Sequence, residues 1–255
     1  MHSLDHVALQ SVPRPVAAMA KKYPAHYEGY MHTHARAQLL YAVSGSMRLT
    51  LPRGCWIIPP KRAVWIPAEC VHQTGSFGEL EMRTLYIDSN AIPDAPNEPR
   101  MLIVSSLLHE LVLRAVELPI EYDEFGQPGR IIEVLLHEID WTPVTPFRLP
   151  NIDDQRLRYM HDTLQKNPAD QRTLGEWARY FQISPRTMAR LIKAHTDLTF
   201  QSWRDHVRVF TALPWIAEGK PFAEISDALG FDTAWSFTAM FRRIVGTTPR
   251  EHRKK

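Results

Sequence analysis

The stretch SPRTMARLIKAHTDLTFQSWRDHVRV, residues 184–209, decides the fold of the second half of this 255-residue chain. Ser184 followed by Pro185 is a strong helix start, because serine caps a helix N-terminus and proline suits the first helical position. The helix that follows, over 186–195, carries apolar side chains on one face and basic side chains on the other. A short helical pattern over 173–180 and a tight turn precede it. The stretch therefore predicts a helix-turn-helix unit.

A second copy of this pattern lies in ALGFDTAWSFTAMFRRIVGTTPREHRK, residues 228–254. A helix is predicted over 222–229 and ends at Gly230. Asp232 and Thr233 then open another helix, which runs to about residue 245. Two helix-turn-helix units are therefore predicted in one domain.

One long helix is predicted between the two copies, from Phe200 to Glu218, with Gly219 as its cap. Its 19 residues span roughly 28 Å at ~1.5 Å per residue. This length is close to the ~34 Å of one DNA turn, so the two units suit successive major grooves on one face of DNA. Pro214 lies inside the helix and is expected to kink it, because proline lacks the backbone donor.

Residues 173–253 resemble the DNA-binding domain of the AraC/XylS family of transcription regulators. The two stretches quoted above carry the resemblance, and the second is close to that family's signature. Two departures lie at turns: Asp197 replaces the usual glycine after the first reading helix, and Gln182 stands where small or apolar residues are common.

The resemblance implies which side chains meet DNA. Base-edge contacts would come from two sets, Arg186, Thr187, Ala189 and Arg190 in the first copy, and Ala234, Trp235, Thr238 and Ala239 in the second. Arg186 and Arg190 are the leading candidates, because arginine is the commonest bidentate reader of guanine. Phosphate contacts suit Thr233, Ser236, Arg242 and the tail Arg253, Lys254 and Lys255, and Lys193 completes the DNA-binding set. The alternatives are a solvated surface charge for each arginine and helix packing for Trp235.

Charge divides the chain in the same way. Residues 172–255 hold 14 basic and 8 acidic residues, a net charge of +6, whereas residues 1–171 hold 16 basic and 20 acidic residues, a net charge of −4. A basic segment joined to a mildly acidic one indicates that only the second part faces a polyanion, although a solvated basic face would give the same counts.

The first half reads as strands, then helices. Short alternating segments with Gly and Pro turns over 37–88 predict a small antiparallel β-barrel. Helical patterns over 100–118 and 130–141 predict helices that cover the barrel or pair two subunits. The proline-rich stretch 142–152 predicts a linker, so the domains would be 1–141, a sensor and dimerisation domain, and 153–255, an all-α DNA-binding domain. The fold class is therefore α+β.

Three histidines form the candidate sensor site. His32 and His34 lie at i and i+2, so their side chains share one side of a strand, and His72 could complete a facial ligand set. The segments HTHARAQLLYAVSGSMRL and WIPAECVHQ resemble the two cupin motifs, with Gln38 where cupin metalloenzymes usually carry Glu. The three histidines and Gln38 would bind an effector; alternatively, the histidines alone would hold Zn, Ni or Fe, or would only hydrogen-bond inside the barrel mouth. A neutral amide in place of an anionic ligand lowers the affinity for a hard divalent metal.

These observations favour a transcription regulator that binds double-stranded DNA and a small effector, acts as a homodimer and, by its resemblance to a subgroup, represses. The alternative is a metal-dependent cupin enzyme with a DNA-binding appendage, which would usually need the motif Glu. We expect no catalytic residue. No apolar run approaches the ~20 residues of a membrane span, Met1–Lys22 lacks a signal-peptide core, and the cysteines number only two. A cytoplasmic protein that does not bind membranes is expected.

Overall fold

The computed structural model describes residues 7–52, 54–142, 144, 147–150 and 152–253. The chain divides into two compact units: the first runs to Pro146 apart from Arg53–Trp56, and the second comprises Phe147–Lys254 with that stretch. The predicted domain bounds and linker stay predictions. Part of the linker (Pro143, Thr145, Pro146 and Asn151) and the tail residues Lys254 and Lys255 lie outside the described residues.

The first unit is built on antiparallel strands, as the alternating segments predict. They are β1 (Val16–Tyr23), β2 (Ala37–Ser44), β3 (Met47–Leu51), β4 (Gly54–Ile58), β5 (Arg62–Ile66), β6 (Gln73–Ser76), β7 (Leu80–Ile87) and β8 (Arg100–Ile103). Five strands form one sheet in the order β1-β7-β2-β5-β8, and the second sheet contains β6 and β4 on either side of β3. β3 shows the expected alternation, since Met47, Leu49 and Leu51 are buried and the residues between them are half-buried.

Two helices cover the larger sheet, α1 (Ser106–Ala115) and α2 (Gln127–His137). Their buried residues, among them Leu108, Val112 and Leu135, join side chains from β2, β5, β7 and β8 in one core cluster. The sequence predicted both helices with different bounds: the predicted range is too wide for α1, and for α2 it begins three residues late and ends four residues late.

The first four residues of the predicted helix over 100–118 form β8 instead. Met101 and Leu102 are buried, and β8 pairs with β5 along its length. The helix starts only after Ser105, whose hydroxyl accepts a hydrogen bond from the Leu108 amide as an N-cap. Periodicity cannot assign so short an apolar segment to a helix or a strand, and here pairing with the edge of the sheet makes it a strand. The second helix ends at His137, not at residue 141.

The second unit begins with a strand and continues in helices. Its elements are β9 (Phe147–Pro150), α3 (Gln155–Lys166), α4 (Leu174–Tyr180), α5 (Pro185–Thr196), α6 (Phe200–Ala217), α7 (Phe222–Ala228), α8 (Ala234–Val245) and α9 (Pro249–Arg253). β9 lies within the stretch 142–152 that the sequence predicts as a linker, and no strand was predicted there. The helix-turn-helix pairs α4–α5 and α7–α8 and the long helix α6 between them follow the sequence prediction.

The core of the second unit centres on two fully buried tryptophans. Trp177 of α4 and Trp203 of α6 lie in one cluster with Met188 and Ile192 of α5 and with the buried face of α3. Burial of side chains of this size supplies several kcal/mol each. The first helix-turn-helix unit is therefore fixed to α6 by apolar packing.

Pro214 does not end α6. The helix runs 18 residues to Ala217 with Pro214 in its last turn, and the Pro214 carbonyl accepts the amide of Glu218 at 2.8 Å. Proline near a helix end costs one backbone hydrogen bond without ending the helix. The expected kink stays a prediction. Among the described residues, none of the helices has the length and apolar character that a membrane span needs.

The buried His252 of α9 makes stability depend on pH. Burial lowers the pKa of its imidazole to about 4, whereas the unfolded chain titrates near 6.5. The unfolded state therefore binds the proton more readily than the folded state does. The contribution of neutral His252 to the free energy of unfolding is fully present above pH 6.5 and is lost as the pH falls toward 4. We expect His252→Gln to remove up to about 3 kcal/mol of this loss. Urea unfolding at pH 7.5 and pH 4.5 measures this difference in stability, and His137→Gln, at an exposed histidine, is the control. A pH dependence of stability in His252→Gln equal to that of the wild type would contradict the role of His252.

Candidate nucleic-acid interface and histidine cluster

The first helix-turn-helix is shaped by side-chain caps. Thr173 and Glu176 form a capping box at the start of α4. The turn contains Gln182, one of the two departures from the family pattern. Gln182 adopts a left-handed conformation, with φ 56°. Ser184 then caps α5 by accepting the Thr187 amide at 3.1 Å, with Pro185 at the first helical position, as predicted.

The outer face of α5 carries the predicted base readers. Met188 and Ile192 are buried, which turns Arg186, Ala189 and Arg190 to solvent. In the described part of the chain, no hydrogen bond or ion pair engages either arginine. Two donor-rich side chains are therefore available on one helical face.

Two other predicted residues of α5 are already engaged. The hydroxyl of Thr187, which is half-buried, lies 2.9 Å from the Ser184 hydroxyl within the cap. Lys193 is exposed but donates to the carbonyl of Asp197, whose own φ is 59°. Asp197, the second departure, also pairs with Arg148 at 3.1 Å. Lys193 thus stabilises the left-handed end of α5.

The second helix-turn-helix repeats this design. The turn after α7 contains Gly230 at φ 73°, where an added Cβ would lie 2.9 Å from Ala169 Cα, so only glycine fits. Thr233 caps α8 by accepting the Ser236 amide at 3.1 Å, and the two hydroxyls lie 2.9 Å apart, as Ser184 and Thr187 do in the first unit.

The outer face of α8 is more apolar than that of α5. Ala234, Trp235, Ala239 and Arg242 are exposed, while Ser236 and Thr238 are half-buried. Trp235 is 78% exposed, so it does not serve the helix packing that the sequence left open. The Thr238 hydroxyl donates to the Ala234 carbonyl at 2.8 Å. This face suits contact with thymine methyl groups more than hydrogen bonds to bases.

An ion pair that the sequence did not reveal holds α8 to α6. Asp205 of α6 is buried, and its carboxylate accepts Arg243 Nη2 at 2.6 Å and Gln201 Nε2 at 2.9 Å. The Arg243 side chain is 62% exposed, so solvent screens this pair on one side, while the buried Asp205 carboxylate depends on Arg243 and Gln201 as its partners. The partners are 38 residues apart, so no local pattern links them.

One residue of the predicted phosphate-binding tail has a structural role. Arg253 donates to the carbonyl of Lys220, and its guanidinium carbon lies 3.9 Å from the centroid of the Phe222 ring. Arg253 thus fastens α9 to the start of α7.

The structure brings together the three histidines of the first unit. His32 and His72 are joined by an antiparallel bridge with backbone hydrogen bonds of 2.9 and 3.0 Å. Their ring centroids lie 4.4 Å apart, and that of His34 lies 5.0 Å from His72. One nitrogen from each ring lies within 4.8 Å of the others. Gln38 belongs to the cluster, because its Oε1 is 2.9 Å from His34 Nε2.

Burial keeps His72 neutral. Loss of hydration lowers the pKa of its imidazole, the hydrogen bond to the Cys70 carbonyl raises it, and the neighbouring His32 and His34 lower it, so that the pKa is about 4. A neutral imidazole is the form that accepts a hydrogen bond or binds a metal ion.

Two of the cavities that border described residues of the first unit differ greatly in size. A cavity of about 90 Å³ borders His32, His72 and Gln38. A cavity of about 710 Å³, which the sequence did not reveal, borders Arg14, Arg36 and helix α2. Arg36 is buried there and donates to the carbonyls of Gln10, Val12 and Arg14, so it holds the segment before β1.

Comparison with known proteins matches both units. The family model of a helix-turn-helix domain matches residues 177–255, and that of an AraC-like ligand binding domain matches residues 15–116. The HTH-type transcriptional regulator NimR of Escherichia coli (strain K12) is 31% identical over 219 residues, which cover 86% of this chain and 80% of NimR. The HTH-type transcriptional regulator RipA of Corynebacterium diphtheriae is 36% identical over 104 residues, 41% of this chain and 30% of RipA. ToxT from Vibrio cholerae aligns over 94% of this chain and 98% of its own, with 8% identity and a TM-score of 0.39, too low to inform function.

The hydroxyl caps are expected to set the stability of the reading helices. Thr233→Ala removes the acceptor for the Ser236 amide, which costs about 1 kcal/mol of unfolding free energy, and Thr233→Ser restores it. Chemical denaturation of the two variants beside the wild type measures the difference. If Thr233→Ala and Thr233→Ser unfold at the same denaturant concentration, the cap is not what stabilises α8.

Proposed function

The chain belongs to the AraC family of DNA-binding transcription regulators with a ligand-binding domain, and on that premise we propose that α5 and α8 enter successive major grooves of one operator. Its domains and relatives are those of a regulator and not of an enzyme. This sets aside the alternative of a cupin enzyme with a DNA-binding appendage.

The length of α6 supports the two-groove arrangement. Its 18 residues span about 27 Å, against ~34 Å for one turn of B-DNA. Both reading helices pack on this connector, α5 through the tryptophan cluster and α8 through the pair of Asp205 with Arg243. The connector thus makes their separation a fixed property of the second unit.

Arg186 and Arg190 on α5 are exposed, and neither makes a hydrogen bond or ion pair with the residues that the structure describes; this pair is the main support for the proposal. A guanidinium donates two parallel hydrogen bonds to O6 and N7 of guanine, and neither arginine has to break an existing contact to do so. Ala189 leaves room for close approach between them. We assign the base reading of the first unit to these three residues.

The second reading helix would contribute in a different way. Ala234, Trp235 and Ala239 offer apolar surface to thymine methyls, and Arg242 offers charge to a phosphate. Thr187, Thr233, Ser236 and Thr238 hold the helices in position through hydrogen bonds within the protein, so their part in DNA binding is mainly to orient. Lys193 adds charge at the edge of α5.

The ligand-binding domain offers two places for an effector. A drug-sized ligand usually occupies a cavity of about 300–1,000 Å³, so the cavity of about 710 Å³ beside Arg36 has the ordinary size. The predicted site at His32, His34, Gln38 and His72 borders only about 90 Å³. We keep the histidine cluster as the proposed site of a small effector, and we propose the larger cavity for any effector of ordinary size.

We also propose that the protein acts as a homodimer and represses. Leu107 of α1, Val134 of α2 and Phe125 are each about half exposed or more, and these apolar side chains favour a partner on the first unit. Light scattering measures the mass of the assembly. A reporter gene behind the operator distinguishes repression from activation.

The base-reading role predicts a specific loss on substitution. Arg190→Ala should lose about 1–3 kcal/mol on the operator and little on random DNA, because a bidentate base contact is lost while the phosphate contacts remain. The same holds for Arg186→Ala. Operator fragments are first selected from the source genome with the wild type, and fluorescence anisotropy then measures affinity for operator and random duplexes at several salt concentrations.

A matched control is Lys22→Ala, which removes an exposed basic side chain from β1 of the first unit and should change neither affinity. Equal losses on operator and random DNA for Arg190→Ala would refute base reading by this residue. Binding that does not weaken with salt would contradict the phosphate contacts.

A further inference from the structure

The loop 167–172 between α3 and α4 contacts both helix-turn-helix pairs. The two helices that it joins pack in the cluster around Trp177, which also contains the buried side chains of the first reading helix, α5. The same loop reaches the turn between α7 and α8, where a hydrogen bond links residues that are 59 positions apart. We call this loop the bridging loop, because it joins the two pairs directly, in addition to the connection through α6.

The backbones of the bridging loop and of the α7–α8 turn lie very close together. Gln171 Nε2 donates to the Gly230 carbonyl at 2.7 Å. A Cβ atom on Gly230 would lie 2.9 Å from Ala169 Cα and 3.1 Å from Ala169 Cβ, so only glycine permits this approach. A rotation of the second helix-turn-helix pair relative to the first would therefore break the hydrogen bond and disturb the packing of the two backbones.

Arg208 of α6 contacts both sides of this junction. It is only 4% exposed. Its Nε donates to the carbonyl of Pro168 in the bridging loop at 2.9 Å, and its guanidinium carbon lies 5.0 Å from the centroid of the Phe231 ring in the turn after α7. Arg208 thus holds the bridging loop and the turn against the same part of α6.

The buried charge of Arg208 makes this arrangement hard to change. Burial and the nearby Arg204 lower the pKa of its guanidinium, whereas the carboxylates of Asp205 and Asp170 raise it. An arginine stays charged in proteins, so a buried guanidinium needs its acceptors. Its Nη2 already has no hydrogen-bond partner among the described residues. Loss of the Pro168 carbonyl would leave the charge with still fewer partners, so the bridging loop is held firmly.

We propose that Gln171 and Arg208 are positioning residues for the reading of DNA, which fix the second helix-turn-helix pair to the first through the bridging loop. This inference rests on the two-groove arrangement proposed above. The ion pair of Asp205 with Arg243 holds α8 to α6, and the bridging loop adds a contact with the first pair itself. Linked binding modules gain affinity when their geometry is preset, because less freedom is lost on binding.

A fixed pair of reading helices makes binding sensitive to the spacing of the operator. One base pair inserted between the two half-sites moves the second half-site by about 3.4 Å and rotates it by about 35° around the DNA axis. A protein whose two helix-turn-helix pairs are held together cannot follow this change. A protein that has lost the contacts of the bridging loop can turn its second pair and follow part of it.

The test compares Gln171→Ala and Arg208→Met with the wild type on three duplexes. These are the selected operator, the same operator with one base pair inserted between the half-sites, and an operator whose second half-site is scrambled. Fluorescence anisotropy measures the affinities. We expect both variants to bind the full operator more weakly by on the order of 10-fold. The insertion should cost them a smaller factor than it costs the wild type, and all three proteins should bind the scrambled operator alike.

The matched control is Gln165→Ala, which removes an exposed glutamine from α3 and should behave as the wild type does on all three duplexes. Arg208→Met removes a buried charge and is expected to lower stability, so urea unfolding is measured for each variant. Gln171 is exposed, and Gln171→Ala should unfold near the wild type.

The dependence on spacing separates positioning from a loss of folded protein, because a smaller folded fraction weakens binding to every duplex by the same factor. Equal factors for the insertion in Gln171→Ala and in the wild type would overturn the positioning role, and so would equal losses by Gln171→Ala on the full and scrambled operators. Wild-type affinity for the scrambled operator equal to that for the full operator would instead overturn the two-groove arrangement, and this inference with it.

Discussion

Helix α6 is the element on which the second unit depends. This helix buries side chains against both helix-turn-helix units. Trp203 and Val207 lie in the cluster around Trp177, and further residues are buried up to Ile216. Because protein interiors are close-packed, a helix that is packed along its length holds the neighbouring helices at a fixed spacing. The ion pair of the buried Asp205 with Arg243 adds a polar constraint on α8. The separation of the two reading helices is thus set by packing within the unit.

Local signals in the sequence predicted what is local in the structure. Serine and threonine before a helix, proline at its first position and glycine at a left-handed turn were sufficient to place α4, α5, α7 and α8, because each acts within a few residues. The same holds for the alternation in β3. The i and i+2 spacing of His32 and His34 was sufficient to suggest a cluster.

Contacts between distant residues could not be predicted. Arg100–Ile103 became a strand because β5 offers a free sheet edge, and β9 appeared within a stretch read as linker. The pairing of His72 with His32 needs the fold, and so do the pair of Asp205 with Arg243 and the cavity beside Arg36. Several predicted DNA contacts also proved to be engaged inside the protein, since hydroxyls at a helix start serve the helix first. Arg186 and Arg190 are exposed and make no hydrogen bond or ion pair with the described residues, and they stay the residues that we propose for base reading.

We propose that α5 and α8 bind one operator on the same face of the DNA. Hydroxyl-radical footprinting of the wild type on a selected operator tests this proposal. Light scattering first determines whether a monomer or a dimer occupies each site. We expect each chain to protect two patches whose centres lie about 10 base pairs apart, which is one helical turn of DNA. A single protected patch per chain, or two patches on opposite faces, would contradict it.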